Sequence, residues 1–330
     1  MKRAIVTGIS GQDGSYLAEL LLSLGYEVHG IVRRNSPATH RLIDHLLAAP
    51  ELDRRRLYLH SIDLQNVPAL TDLFASVLPD EVYHLAGQSH VGLSFGDPVA
   101  TCEFTAMGTL RMLEVARSCK SAPRLLHTSS SEIFGAPSQV PQDEATPHNP
   151  VSPYGVAKSF ATNMVRIYRE SFEQFTCNAI CFNHESPRRR RTFVTRKITQ
   201  AAARIKLGLE SKLALGNVDA QRDWGYAPDY VRGFHALLQQ DEPTDCVFAT
   251  GRLHRVRDWL EIAFGYLDLD WEDYVVFDPQ FTRKADPALL VGSTERARVR
   301  LDWSPSVSFE SMVVQMVEHD LQIQRVRRAS

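Results

Sequence analysis

The sequence predicts a doubly wound, mostly parallel α/β sheet with a smaller mixed α/β unit toward its carboxyl end. Three observations carry that expectation. Short β-rich runs alternate with helical stretches through the first half of the chain. A turn with glycines at every third position, Gly8, Gly11 and Gly14, separates the first run from the first helical pattern. The alternation then breaks after about residue 183, where Pro187 precedes four arginines, Arg188 to Arg191.

Residues 4–7 are apolar and closed by Gly8, which reads as a first strand. Residues 15–24 follow with Leu17, Leu20, Leu21 and Leu24 at helical spacing. Further strands are expected at 27–32, 56–62, 81–85, 124–127 and 177–182. Helical stretches near 69–77, 105–116 and 153–172 separate the later ones. Strands and helices alternating at these lengths imply right-handed crossovers and parallel pairing. Residues 1–182, joined by about 217–250, therefore read as a dinucleotide-binding unit of the Rossmann type. Residues 183–330 read as a discontinuous substrate unit with Pro-containing turns at Pro279, Pro287 and Pro305.

The totals exclude several function classes. The chain has 330 residues, a formal net charge of -2 and 44% hydrophobic residues. No global basic field exists to hold nucleic acid. No apolar run reaches the ~20 residues of a membrane span, and Met1-Lys2-Arg3 leads into a glycine turn rather than an export signal. Cys102, Cys119, Cys177, Cys181 and Cys246 form no paired spacing, which predicts reduced thiols in a cytoplasmic protein. No metal-ligand pattern is read.

The glycine turn, with Gln12 and Asp13 inside it, lets the backbone approach a pyrophosphate at a helix N-terminus. Its Gly-x-x-Gly-x-x-Gly spacing gains meaning from lying between a strand and an amphipathic helix. An NAD site places an acidic residue about 20 residues past the glycines, on the ribose hydroxyl. Here Arg33, Arg34, Asn35 and Ser36 stand there. Guanidinium groups suit a 2'-phosphate, which points to NADP; the plainer reading is a solvated pair of loop charges. Asp63 ends the third strand, where it either meets the adenine amine or caps the next helix.

Tyr154 and Lys158 lie four apart on an expected helix, so both share one face. An ammonium beside the phenol favours its ionised form. The strand at 124–127 runs into Thr128-Ser129-Ser130-Ser131-Glu132, at the sheet end where chemistry gathers in doubly wound folds. Alcohol oxidation needs the hydroxyl, the tyrosine and the lysine. Glu132 adds a carboxylate suited to removing a proton beside a carbonyl or assisting a departing hydroxyl. The plainer reading makes Ser130 and Glu132 a helix cap and its first-turn acid.

These motifs together resemble the extended short-chain dehydrogenases. Longer phrases resemble the GDP-mannose 4,6-dehydratase family within them: Gly11-Gln12-Asp13-Gly14-Ser15-Tyr16-Leu17-Ala18, Val28-His29-Gly30-Ile31-Val32-Arg33-Arg34, Asn183-His184-Glu185-Ser186-Pro187-Arg188-Arg189, Phe193-Val194-Thr195-Arg196-Lys197, and Gln221-Arg222-Asp223-Trp224-Gly225. The resemblance runs from Met1 to about Leu321. It implies that Tyr154, helped by Ser130 and Lys158, takes the proton of the sugar C4 hydroxyl while hydride passes to NADP. Glu132 then removes the C5 proton and helps the C6 hydroxyl leave as water, and hydride returns to C6. It further implies that Leu64, Leu85, Ala86, Gln88, His184 and Arg189 touch the cofactor. Ser89, Asn183, Lys197, Arg222, Arg283 and Asp286 are implied to hold a GDP-sugar. Relatives assemble as dimers or tetramers, so a homo-oligomer is expected.

Several positions depart from the family pattern. Ser130 stands where threonine is usual, Arg190-Arg191 where Gly-Glu is common, Gly87 for alanine, and Asp286 for glutamate. They cluster on the substrate side and leave other readings open. These are a GDP-heptose dehydratase, another GDP-sugar enzyme such as a 4-keto reductase or epimerase, and, more remotely, a non-catalytic NADP-binding regulator.

Overall fold

The computed structural model describes residues 1–33, 42–48, 56–281 and 289–329. The first half alternates through β1 (Arg3–Thr7), α1 (Gln12–Ser23), β2 (Glu27–Val32), α2 (Asp44–Ala48), β3 (Leu57–Ser61), α3 (Val67–Val77), β4 (Glu81–His84), α4 (Val91–Ser94), α5 (Pro98–Cys102), α6 (Gly108–Ser118), β5 (Arg124–Ser130), α7 (Pro153–Phe172) and β6 (Thr176–Cys181). The second half contributes β7 (Asn183–Glu185), α8 (Val194–Lys206), β8 (Leu213–Leu215), β9 (Gln221–Arg222), β10 (Trp224–Tyr226), α9 (Ala227–Leu238), β11 (Cys246–Phe248), β12 (His254–Arg255), α10 (Val256–Gly265), β13 (Val275–Phe277), α11 (Glu295–Leu301) and α12 (Phe309–Ala329).

Seven strands form one parallel sheet in the order β11-β6-β5-β4-β1-β2-β3. The chain moves outward from β1 to β3, then crosses back to β4 and continues the other way. That reversal opens a crevice beyond the carboxyl ends of β1 and β4, where ligands sit in doubly wound sheets. Both faces of the sheet are covered. Leu17, Leu21, Val28, Phe234 and Phe248 pack on one side, and Ile5, Phe74, Val82, Leu113 and Val165 on the other. Strands buried on both faces explain their nearly continuous apolar runs.

Three local differences from the sequence reading have physical causes. Helix α1 starts at Gln12, not Ser15, because Gly11 is its extended N-cap and the helix springs directly from the turn. Strand β5 runs on to Ser130, because Ser129 and Ser130 still pair with Ile180 and Cys181 of β6. The stretch expected from residue 105 as helix opens instead with a π-type turn, Glu103–Met107, before α6. The seventh strand, β11, is three residues long and carried no periodic signal. Helix α7 begins at Pro153 as expected, with Ser152 Oγ accepting from Gly155 N at 3.0 Å.

A separate core joins α8, α10 and α12 around Ile198, Trp259, Phe264, Val313 and Met316. Inside it lies a buried ion pair: Arg196 Nη2 stands 2.8 Å from Asp320 Oδ1, and Thr199 Oγ1 donates to Asp320 Oδ2 at 2.7 Å. Asp320 is fully buried and Arg196 nearly so. Among the described residues, no helix is long and apolar enough to cross a membrane, and no cluster of His, Cys, Asp and Glu could hold a metal ion. Removing one member of a buried pair strands the other charge, at a cost of about 3–5 kcal/mol. Asp320→Ala should therefore lower unfolding free energy in a urea titration by about that amount; a loss under ~1 kcal/mol would mean that water reaches Arg196.

Candidate active site

A cavity of about 1190 Å³ opens at the carboxyl ends of β1, β4, β5 and β6. Single-ligand pockets run to about 1,000 Å³, so this one has room for a dinucleotide and a second substantial ligand. At one end lies the glycine turn. Gly8 has φ +70, and a side chain on it would meet Ala86 N at 3.0 Å. At Gly14 an added Cβ would sit 2.2 Å from Gly8 O, so only glycine lets α1 begin this close to β1. The first-turn N–H groups of α1 lack intrahelical partners and face the cavity.

The polar side chains of the turn reach across to the second half of the chain. Gln12 Nε2 donates to His184 O at 3.1 Å, and Ser186 Oγ donates to Gln12 Oε1 at 2.9 Å. Asp13 Oδ2 lies 2.9 Å from His184 Nε2. Arg188 ion-pairs with Glu19, donates to Ser15 Oγ at 3.1 Å and stacks over Tyr16. Gln12 thus spends its side chain on bracing the turn, which leaves its backbone for a ligand. Gln88 does the same: its amide bonds the backbone of His90 in both directions, at 2.9 and 2.5 Å.

Along the cavity floor, Leu85 and Ala86 follow β4, and Asp63 and Leu64 follow β3. Asp63 Oδ1 accepts from Gln65 N, while Asn66, not Asp63, caps α3. The capping alternative for Asp63 is thereby removed. Arg33 lines the same end, its guanidinium 5.5 Å from the ring centre of Phe104. Arg34, Asn35 and Ser36 lie outside the described residues, as do Arg283 and Asp286.

Ser130, Glu132, Tyr154 and Lys158 converge at the middle of the cavity. Ser130 Oγ accepts from Glu132 N at 3.3 Å, capping a single 3-10 turn, so the plainer reading of this pair is realised. Gly155 lets α7 close on this turn, since a Cβ there would lie 2.6 Å from Glu132 O. Lys158 Nζ donates to Thr128 O at 2.6 Å, and burial lowers its pKa to about 8. The expectation that the ammonium acidifies Tyr154 is corrected. Burial pushes the phenol above its ordinary value, Ser130 opposes that through a shared hydrogen bond, and the Glu132 carboxylate adds to it. The lysine points its charge at a carbonyl, so desolvation dominates at the phenol.

Beneath Lys158 lies a buried polar row that the sequence did not single out. Thr7, His84 and His127 are register neighbours on β1, β4 and β5 and are fully buried. Thr7 Oγ1 contacts His84 Nδ1 at 2.9 Å and accepts from Ala86 N at 3.0 Å. Burial, reinforced by the lysine charge, lowers His84 to about 3 and His127 well below the ordinary range, so both rings are neutral.

The far end of the cavity is cationic. Lys197 lies 3.6 Å from the ring centre of Phe281, with a pKa lowered by burial. Arg189 stacks over Phe193 at 3.6 Å and faces Glu185 Oε2 at 3.1 Å. Ser89, Asn183, Arg190, Arg191 and Arg222 complete this wall, the two added arginines exposed at its mouth. Asp223, next to Arg222, is fully buried. Its carboxylate accepts from Thr250 N, Thr250 Oγ1, Gly251 N and Gly292 N, holding the strand that presents Arg222. Gly87 is sterically neutral: a Cβ there would make only ordinary contacts of 3.6 Å and beyond. Glu185, which anchors Arg189, was missed by sequence reasoning; it ends a strand and Arg189 lies in the turn beyond, so no helical spacing signalled the pair.

The family model described as GDP-mannose 4,6 dehydratase matches residues 5–316. The chain is 46% identical to GDP-mannose 4,6 dehydratase 2 of Arabidopsis thaliana over 327 residues, covering 98% of this chain and 87% of that protein. It is 44% identical over 351 residues to the GDP-mannose 4,6-dehydratase of Yersinia enterocolitica serotype O:8, covering 98% and 94%. Among solved structures it is similar to RMD from Pseudomonas aeruginosa complexed with NADPH, with TM-score 0.78, 25% identity and coverage of 98% of this chain and 100% of that one.

The turn geometry makes a direct test. Gly14→Ala forces an atom into the space of Gly8 O and should cost more than the ~1–3 kcal/mol of ordinary overpacking. Dinucleotide binding by calorimetry should fall at least about tenfold, since each 1.4 kcal/mol is a factor of ten. Gly11→Ala, whose Cβ meets Gly8 O at a tolerable 3.1 Å, should lose less. Equal binding by Gly14→Ala and the parent would refute the close approach.

Proposed function

The chain belongs to the GDP-mannose 4,6-dehydratase family, and from that premise we propose that it converts GDP-mannose to GDP-4-keto-6-deoxymannose with NADP as its resident cofactor. The observation that carries this reading is the meeting of Ser130, Glu132, Tyr154 and Lys158 between a glycine-lined phosphate cradle and a cationic wall. The cradle fits a dinucleotide because glycine at 8 and 14 lets α1 begin against β1 with its first turn lining the cavity, where a helix N-terminus favours a pyrophosphate. Arg33 beside Phe104 supports the 2'-phosphate and therefore NADP, where an NAD site would offer a carboxylate. The dinucleotide would supply the hydride acceptor at C4, the hydride donor at C6 and, when oxidised, a positive charge beside the phenol.

The chain's own groups divide the remaining work. Tyr154 rests protonated; Ser130 aligns it with the C4 hydroxyl, and the Lys158 ammonium, fixed by Thr128 O, is the countercharge for proton removal. Once C4 is a ketone, the C5 proton is acidic, and Glu132 takes it and delivers it to the leaving C6 hydroxyl. Glu132 is 8% exposed, so little water competes for that proton. Lys197, Arg222 and Asn183 would hold the diphosphate and its nucleoside. The two units implied here are the sheet with α1, α9 and α11, which carries the dinucleotide, and the α8-α10-α12 core, which carries the sugar nucleotide.

A second copy of the chain is proposed to meet the exposed apolar stripe of α7. Val156, Phe160 and Ile167 are 51%, 39% and 42% exposed at helical spacing, beside Val99 at 79%. The five free cysteines support a reducing, cytoplasmic setting.

The chemistry is tested by incubating the protein with GDP-mannose and a trace of NADP. The nucleotide sugar should lose one water by mass spectrometry with no net change in NADPH. Glu132→Gln should cut turnover by about 10²–10⁴ while leaving NADP bound. Net NADPH consumption would instead favour a 4-keto reductase. Unchanged GDP-mannose alongside turnover of a GDP-heptose would move the substrate, and no turnover of any GDP-sugar would favour the regulator. For the assembly, Ile167→Glu should shift the mass measured by light scattering from oligomer toward monomer; an unchanged mass would place the contact elsewhere.

A further inference from the structure

His184 sits between two groups that can only accept hydrogen bonds. Its Nδ1 lies 2.8 Å from the carbonyl oxygen of Phe182, and its Nε2 lies 2.9 Å from Asp13 Oδ2. A neutral imidazole has one N–H and one lone pair. In this position one nitrogen would turn its lone pair toward an oxygen lone pair. With Asp13 ionised, as its lowered pKa keeps it, only the imidazolium satisfies both contacts. Stacking on Tyr230, with ring centres 4.4 Å apart, holds the ring in that plane.

The partner's position gives the charge a purpose. Asp13 is the second residue of α1, inside the turn whose N–H groups open into the cavity. A bare carboxylate there would repel a pyrophosphate arriving at the same helix end. We propose that the imidazolium of His184 neutralises Asp13, so that an anionic dinucleotide can bind over the turn, and that the same pair fastens the turn to β7. This deepens the dinucleotide reading above and rests on it.

The titration behaviour agrees. Burial opposes charge on His184, but the Asp13 charge and hydrogen bond outweigh it, and the net shift is upward from 6.5. Burial likewise raises Asp13, yet His184 brings its net value below the ordinary carboxylate. The other groups facing the pair are Arg189 and Glu185 beyond and on β7, Tyr230 on α9, Cys181 at the end of β6, and Lys158 on α7. Arg189 and Glu185 offset each other at 3.1 Å. Tyr230 and Cys181 are pushed well above their ordinary values by burial and stay neutral. Lys158, lowered to about 8, also changes charge in the same window. A histidine raised by its partner keeps its charge below the folded pKa and loses it as pH rises through that value. Dinucleotide affinity should therefore fall as pH rises above about 6.5, the ordinary histidine value.

The test is calorimetric titration of the full chain with NADP, and separately with NAD, from about pH 6.5 to about pH 9.5, a span bracketing the titration of a raised histidine. The parent should weaken by about tenfold or more across this range, given a unit charge a few ångströms from phosphate. Asp13→Asn removes the repelling charge, so the parent-to-variant ratio of Kd should climb with pH; because the Asp13 charge also supports that of Lys158, the ratio is taken again in a Lys158→Met background, where it should still climb. His184→Gln should bind weakly at every pH, and the double variant Asp13→Asn/His184→Gln should recover affinity. A ratio that stays flat with pH, or a double variant as weak as His184→Gln alone, overturns the proposal. Binding of neither dinucleotide at any pH would overturn the cofactor reading, and the charge pair's role with it.

Discussion

The rest of the site depends on how closely α1 follows β1. With no Cβ at Gly14, the helix starts within van der Waals reach of the turn at Gly8, and its first N–H groups open into the crevice where the strand order reverses. The same placement brings Gln12 and Asp13 within bonding distance of residues 184–186. The glycine turn therefore does two things at once. It makes room for a phosphate, and it is the point to which the second half of the chain is tied.

Charges in the interior occur as balanced sets, as a low-dielectric site requires. Asp13 faces His184, Glu185 faces Arg189, and Asp320 faces Arg196. Asp223, held by N–H and hydroxyl donors, departs from this pattern, and so does Lys158, which has a carbonyl as its partner and a pKa lowered accordingly. The histidines below it stay neutral, so nothing beneath the ammonium competes with the charge that develops above it. In the mechanism proposed above, a lysine without a carboxylate partner would be available as countercharge to the Tyr154 phenolate.

The cationic wall of the cavity is built from distant segments, and buried acceptors rather than local structure hold it. Asp223 collects N–H groups from 250, 251 and 292, which fixes the short strand carrying Arg222. The Arg196–Asp320 pair joins α8 to α12 and so sets the helix from which Lys197 projects. The family's phrases around these residues thus mix groups that face ligand with groups that hold them in place.

The sequence by itself determined the elements whose signals are local. The strands at 27–32 and 81–84, the helix at 153–172 and the glycine turn are set by periodicity, capping and backbone freedom, all readable over a few residues. The family phrases likewise contain residues that line the cavity, Asn183, Lys197 and Arg222 among them. Tertiary structure alone decided the rest. It made β11, three residues long, a seventh strand, because pairing with β6 substitutes for intrinsic signal. It gave the capping role to Asn66 rather than Asp63, placed His84 and His127 under Lys158, and raised Tyr154 where spacing suggested the opposite. Desolvation and long-range hydrogen bonding depend on what other segments bring to a side chain, and no stretch of neighbouring residues encodes that.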